Sequence, residues 1–174
     1  MKLLATDLDG TLLNSRHEVS EENVAALDYA RSRGAEIAIV TGRTYADACN
    51  VCAKAGIKAH IISNNGASVY GLEGNRLKTV PIEDHLVQPS LQWLHNNEYH
   101  YEVSTDTAVY VSSDTKVTLE KDFAQARLAN PNLQSDALDR MLSLIFSQQG
   151  ITLVSSLEEI FTKTDGYCNI LGLS

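Results

Sequence analysis

Apolar residues fall in short, bounded runs along the first part of the chain, and the runs alternate in kind. Lys2 to Leu8 is a largely apolar run that reads as a buried strand. A turn follows at Asp9-Gly10-Thr11. Ser20 then caps a helix whose first turn holds Glu21 and Glu22, acids that complement the positive end of the helix dipole. Val24, Leu27 and Ala30 recur at helical spacing, and Gly34 is a C-terminal stop. Ala35 to Val40 predicts a second strand, Thr44 to Ala55 a second helix closed by Gly56, and Ala59 to Ser63 a third strand. Strand, helix, strand, helix, strand predicts parallel crossovers in an α/β sheet.

Ala67–Tyr70 and Arg76–Val80 flank a Gly71–Asn75 turn and predict a hairpin. Beyond Pro81 the texture changes. A helix carrying Leu86, Leu91, Trp93 and Leu94 precedes two alternating strands, Tyr99–Val103 and Ala108–Val111. Helical patterns follow at Val117–Leu128 and Asp136–Gln149, then a short apolar stretch, Leu157–Phe161, and a strand over Tyr167–Leu173. The organisation expected is an α/β core at 1–81 and an α+β unit at 82–174.

Composition narrows the function classes. The net charge of −8 opposes non-specific nucleic-acid binding, which rests on Lys and Arg meeting phosphates. No apolar run approaches the ~18–20 residues of a membrane helix. Asp7 arrives too early for a signal peptide, so a soluble cytoplasmic protein without nucleic-acid or membrane partners is expected. Cys49 and Cys52 form a C-x-x-C, but inside an Ala-rich helix and without a second pair, so they read as half-buried helix residues.

In α/β sheets ligands bind beyond the carboxyl ends of the strands. Three polar clusters stand there: Asp7-Leu8-Asp9-Gly10-Thr11, Thr41-Gly42-Arg43 and Asn64-Asn65-Gly66. Asp-Gly alone is an ordinary turn, but an acid closing a buried strand is costly unless paired or metal-bound. The two carboxylates can divide labour. One attacks phosphorus; the other, kept partly protonated by its neighbour's charge, protonates the leaving oxygen and then activates water. Close carboxylates also imply a cation, Mg²⁺, between them. Gly10 lets the backbone turn tightly near a phosphate. An EF-hand loop is the competing reading, but Gly10 stands at the wrong loop position and a strand precedes it.

Asp7-Leu8-Asp9-Gly10-Thr11-Leu12 resembles the first motif of the haloacid dehalogenase superfamily of phosphohydrolases, and Thr41-Gly42-Arg43 its second. The Thr-Gly-Arg form with Asn65-Gly66-Ala67 after the next helix is similar to the Cof-type sugar- and nucleotide-phosphate phosphatases. The resemblance implies a Rossmann-like core with an inserted α/β cap beginning near Ile82, Asp7 as nucleophile and Asp9 as general acid/base. It implies Mg²⁺ on the Asp7 carboxylate and the Asp9 carbonyl, Thr41 on the phosphoryl group, Gly42 in the same phosphate-binding turn, Arg43 orienting a small phosphorylated metabolite, and Asn65 lining the mouth.

The family pattern also includes a phosphate-steadying Lys and a later acidic cluster on the metal. Neither is found: Asp136 and Asp139 read as helix surface, Lys163-Thr164-Asp165 as a turn, and Lys116 and Lys121 as solvated helix positions. The expectation is therefore a chain truncated within its cap, with core and cap both partial. Its first strand would be an open edge that invites a second copy. A weakly active fragment that binds phosphate or Mg²⁺, or a protein-interaction module, stays open beside the phosphatase reading. A receiver-type phosphoacceptor would need five βα units that the second half does not supply. Trp93, Tyr99, His100 and Tyr110 are assigned to the cap core rather than to a sugar pocket.

Overall fold

The computed structural model describes residues 2–132, 136, 150–162 and 166–173. The chain forms two compact units, Met1–Pro81 and Ile82–Ser174. The first holds β1 (Lys2–Thr6), a helical turn (Leu8–Leu12), α1 (Glu21–Ser32), β2 (Ala35–Val40), α2 (Tyr45–Lys54), β3 (His60–Ser63), a short turn (Asn64–Gly66), β4 (Ser68–Tyr70) and β5 (Arg76–Thr79). These strands make one sheet in the order β1-β2-β3-β4-β5. β1, β2 and β3 run parallel, and β4 and β5 return antiparallel.

The local signals explain the elements. Ser20 Oγ accepts from Asn23 N at 3.2 Å and starts α1. Thr44 Oγ1 does the same for α2, accepting from Asp47 N at 3.3 Å. Gly34, at φ +80°, takes the left-handed turn that ends α1. Ile39 pairs with Ile61, and Ile61 with Tyr70, so all three share one sheet face. That face packs with Leu27 of α1 and with Ala48 and Cys52 of α2 into the first core. The opposite face keeps Leu3 and Val40 exposed.

The first strand departs from its expected burial. It stops at Thr6, and Leu3 is 61% exposed. Among the described residues β1 pairs only with β2 and is an edge strand. A continuous apolar run reports strand type but not how many neighbours the strand has. The buried residue of this segment is Leu8, in the turn beyond the strand.

The second unit holds α3 (Asp84–Asn96), β6 (His100–Ser104), β7 (Val109–Ser112), α4 (Thr115–Ala129), β8 (Ile151–Val154), α5 (Leu157–Phe161) and β9 (Asn169–Leu173). Its sheet runs β8-β7-β6-β9. Val87, Leu91, Tyr101, Val103, Val154 and Ile160 centre its core. The fold class is α/β, with two parallel and two antiparallel strand pairs in the first sheet and mixed pairing in the second.

Here too some expectations change. Ile151–Val154 is a strand that the pattern did not reveal, because four residues with one polar position carry little period. Leu157–Phe161 is a helical turn. Trp93 is 57% exposed and stacks on Tyr99 at 5.5 Å, so it is not a core residue, whereas His100 and Tyr110 are buried. The helix expected at Asp136–Gln149 lies outside the described residues except for Asp136, which sits in a turn. Lys163, Thr164, Asp165, Asp139 and the Lys116 side chain also lie outside them; Lys121 is exposed on α4.

Candidate active site at the strand ends of the first unit

Asp7 leaves β1 with extended backbone and caps the turn that follows. Its Oδ1 accepts from Leu8 N at 2.7 Å. The chain then folds back, and Leu13 N donates to Leu8 O at 2.9 Å. Gly10 makes this possible at φ +71°, a conformation costly for residues with a Cβ. The fold-back puts Asp9 in reach of the loop after β2.

Arg43 meets it there. Nε donates to Asp9 Oδ2 at 2.8 Å and Nη2 to Asp9 Oδ1 at 2.7 Å, a two-pronged ion pair. The remaining nitrogen, Nη1, donates to Asp47 Oδ2 at 2.8 Å. Asp47 sits in the first turn of α2, four residues beyond Arg43, and its side chain is only 5% exposed. Asp9 is half-exposed at 50% and Arg43 lies between at 19%. The guanidinium thus bridges a buried anchor and an accessible carboxylate.

Two strand-end loops are stitched together around it. Arg43 N donates to Thr41 Oγ1 at 3.2 Å, which leaves the buried Thr41 hydroxyl its own proton to donate. Asn64 N donates to Arg43 O at 2.9 Å and Asn65 N to Thr41 O at 3.2 Å. Asn64 and Asn65 both hold left-handed φ, 49° and 55°, ahead of Gly66 at 96°. Such strain persists only where the surroundings fix it, and those bonds do so. The Asn65 side chain is packed so close to Gly42 that an added Cβ would stand 2.9 Å from its Oδ1. A side chain at position 42 would have to move the exposed Asn65 amide aside.

The electrostatics follow from these contacts. Hydrogen bonds from Arg43 hold the Asp9 carboxyl below its ordinary range, against the opposing pull of partial burial. Arg43 is itself pushed further up, first by its hydrogen bonds to Asp9. The expectation that a neighbouring charge keeps Asp9 partly protonated is thus corrected. A guanidinium reaches that carboxylate, and opposite charge favours the ionised form.

The structure brings Asp9, Thr41, Gly42, Arg43 and Asn65 into one contact network, with Gly10 shaping the turn. Asp7 stands at the head of the same turn, and its hydrogen bond is local. Two members were given no role by the sequence. Asp47 lies in the first turn of α2 while Arg43 precedes its Thr44 cap, so the helical four-residue pairing rule does not reach this contact. Asn64 is buried, and among the described residues its amide finds no hydrogen-bond partner. The sequence marks it only as part of the Asn64-Asn65-Gly66 cluster after the third strand, without a role of its own.

Among the described residues no group of three or more His, Cys, Asp or Glu gathers as a metal cluster. The Asp7 carboxylate and the Asp9 main-chain carbonyl are hard oxygen donors, of the kind Mg²⁺ takes alongside water and phosphate oxygens. Cys49 and Cys52 are free on α2, and burial pushes the Cys52 thiol up to about 11, away from thiolate chemistry. No helix of the described residues is long and apolar enough to cross a membrane.

The chain is similar to known proteins. The chain is 37% identical to phosphatase YwpJ of Bacillus subtilis across its whole length, which spans 62% of that protein. It is 30% identical to the 5-amino-6-(5-phospho-D-ribitylamino)uracil phosphatase YwtE of the same organism, covering 99% of this chain and 59% of the relative. A solved haloacid dehalogenase-like hydrolase from B. subtilis superposes with a TM-score of 0.81 at 37% identity, over 100% of this chain and 62% of that one. The chain therefore spans about three-fifths of the length of these relatives. With the family model for haloacid dehalogenase-like hydrolases matching residues 4–170 as well, the chain belongs to that family, in its Cof-type branch.

Proposed function

We propose that the protein is a Mg²⁺-dependent phosphatase of small phosphorylated metabolites, such as sugar or nucleotide phosphates. The observation that carries this reading is the turn after β1. It presents Asp7 and Asp9 where a strand ends, with the Arg43 cation and the Thr41 hydroxyl on the neighbouring loop. Asp7 is the nucleophile: its carboxylate oxygen attacks phosphorus, the ester oxygen leaves, and an aspartyl phosphate forms. Asp9, once it has exchanged Arg43 for a proton, gives that proton to the leaving oxygen and later takes one from the water that releases phosphate. Thr41 and Arg43 hold the phosphoryl oxygens, within a turn kept close by Gly42, and Asn65 borders them. Mg²⁺, when bound, would be held by the Asp7 carboxylate and the Asp9 carbonyl and would neutralise charge on the phosphoryl group. Relatives that carry phosphatase names support the same class. Residues 82–174 serve as the cap that selects substrate.

The test is hydrolysis of p-nitrophenyl phosphate by the 174-residue chain with Mg²⁺ and with chelator. Magnesium-dependent turnover that falls at least ~10³-fold in Asp7→Asn is expected. Equal rates in both proteins would remove Asp7 from the chemistry. A second reading has an observation of its own in the open β1 edge with its exposed Leu3. It is a phosphate- or Mg²⁺-binding module that pairs with a second copy through that edge. Concentration-dependent dimerisation, abolished by a Leu3→Lys change, would favour it.

A further inference from the structure

We propose that Asp47 is a positioning residue: it pins Arg43 so that the guanidinium fork is held by Asp9 at rest and passes to a phosphoryl group when one binds beside Asp7. The inference rests on the phosphate-binding reading above and adds to it a residue and an exchange.

The geometry is asymmetric in a way that suits such an exchange. Arg43 spends three nitrogens on two carboxylates. The Asp47 side chain is buried and fixed: its backbone N–H caps on Thr44, and α2 carries it as a rigid body. The Asp9 end is accessible and stands on a turn hinged at Gly10. When an anion competes for the guanidinium, the contact that yields is the exposed one, because water can take over that carboxylate at little cost. The buried contact stays. A fork of parallel N–H donors fits two phosphate oxygens as well as two carboxylate oxygens. Arg43 therefore keeps its place while its partner changes, and the carboxylate released is the one next to the scissile bond in the proposed chemistry.

Buried Asp47 could instead be only a helix-cap residue that stabilises α2. The distinction is whether its effect travels through Arg43. Arginine side-chain Nε–Hε signals in a ¹⁵N spectrum read this without any turnover. In the wild-type chain one such signal, absent from Arg43→Lys, is expected to persist at neutral pH, because Nε–H is bonded to Asp9. In Asp47→Asn it is expected to broaden away while the backbone amide spectrum stays native. Inorganic phosphate is the probe ligand. It is expected to shift the Arg43 signal in the wild type and to bind about tenfold more weakly to Asp47→Asn, the scale of a lost charge-assisted contact. In the Arg43→Lys background, Asp47→Asn is expected to add nothing further, since both changes remove one coupled unit.

An Arg43 signal untouched by Asp47→Asn overturns the proposal, as do affinity losses that simply add in the double variant. A signal that follows Asp47 yet never moves with phosphate overturns the exchange. Should Asp47→Asn fail to fold, Asp47→Glu keeps the charge but displaces it, and is expected to shift the Arg43 signal. No shift would then overturn the pinning. Failure of the phosphatase reading shows separately, as absence of Mg²⁺-dependent hydrolysis in a chain whose Arg43 signal still responds to phosphate.

Discussion

The two units each hold a network of polar side chains, and they place it in opposite ways. In the first unit the ion pairs form a gradient at the strand ends, from the half-exposed Asp9 through Arg43 to the buried Asp47. In the second unit the polar pair lies within the sheet. His100 of β6 has no exposed side-chain surface, its Nδ1 meets Thr115 Oγ1 at 2.9 Å, and its Nε2 stands 3.6 Å from Glu102 Oε1. All three residues are buried. Polar side chains sit enclosed in the second unit, whereas in the first one end of the network meets solvent.

The broadest way to break this comparison is to damage each core. Ile39 and Leu91 are both fully buried, one in each core. Ile39→Ala and Leu91→Ala are each expected to cost about 3 kcal/mol, from lost burial and the cavity left behind. Urea unfolding followed by amide spectra should show each loss chiefly in its own unit. The Arg43 Nε–Hε signal should survive Leu91→Ala under native conditions. A Leu91→Ala chain that lost the Arg43 signal would show that the strand-end network depends on the second core.

The legibility of the molecule follows the same divide. Elements with strong local signals were readable: Ser20 and Thr44 cap helices, and Gly34 and Gly56 end them, as their residue types require. The Asp7, Asp9, Thr41 and Arg43 positions were readable because alternating strands and helices bring strand ends together. What the pattern lacked was neighbours. The exposure of Leu3 depends on which strand lies beside β1, and the exposure of Trp93 on what covers α3. Neither is a local property. The direction of the Asp9 shift was missed for a related reason: adjacency in sequence suggested Asp7 as its partner, whereas the fold supplied Arg43 from thirty-four positions away.

Matched single changes sharpen the comparison. Arg43→Met leaves the buried Asp47 carboxylate without its guanidinium and is expected to cost about 2 kcal/mol, below the fully buried range because Arg43 is partly exposed. Phosphate binding should fall with it. His100→Ala is expected to cost a similar amount, about 1–3 kcal/mol, by stranding the buried Thr115 hydroxyl and opening a cavity. Phosphate binding should not change. If His100→Ala weakened phosphate binding, the second unit's buried pair would no longer be purely structural. A milder change is Gly42→Ala. The new methyl must displace the Asn65 amide, at about 1 kcal/mol, and calorimetry should show weakened phosphate binding out of proportion to that loss.

The smallest expected effect bears on the sign of the Asp9 shift. A carboxyl held below its ordinary value in the folded chain contributes stability that is fully present above the unfolded pKa, about 3.9, and is lost as pH falls through the lower folded value. The stability gap between the wild type and Asp9→Asn should therefore stay flat from neutral pH to about pH 4 and close only below it. Asp9 is half-exposed, so solvent screening keeps the gap under about 1 kcal/mol, and added salt should shrink it further. Urea midpoints of the two proteins between pH 7 and pH 3 decide the matter. A gap that grew as the solution became more acidic would mean that the folded chain favours a protonated Asp9. The paired carboxylates would then govern that side chain, and the Arg43 fork would not be its resting partner.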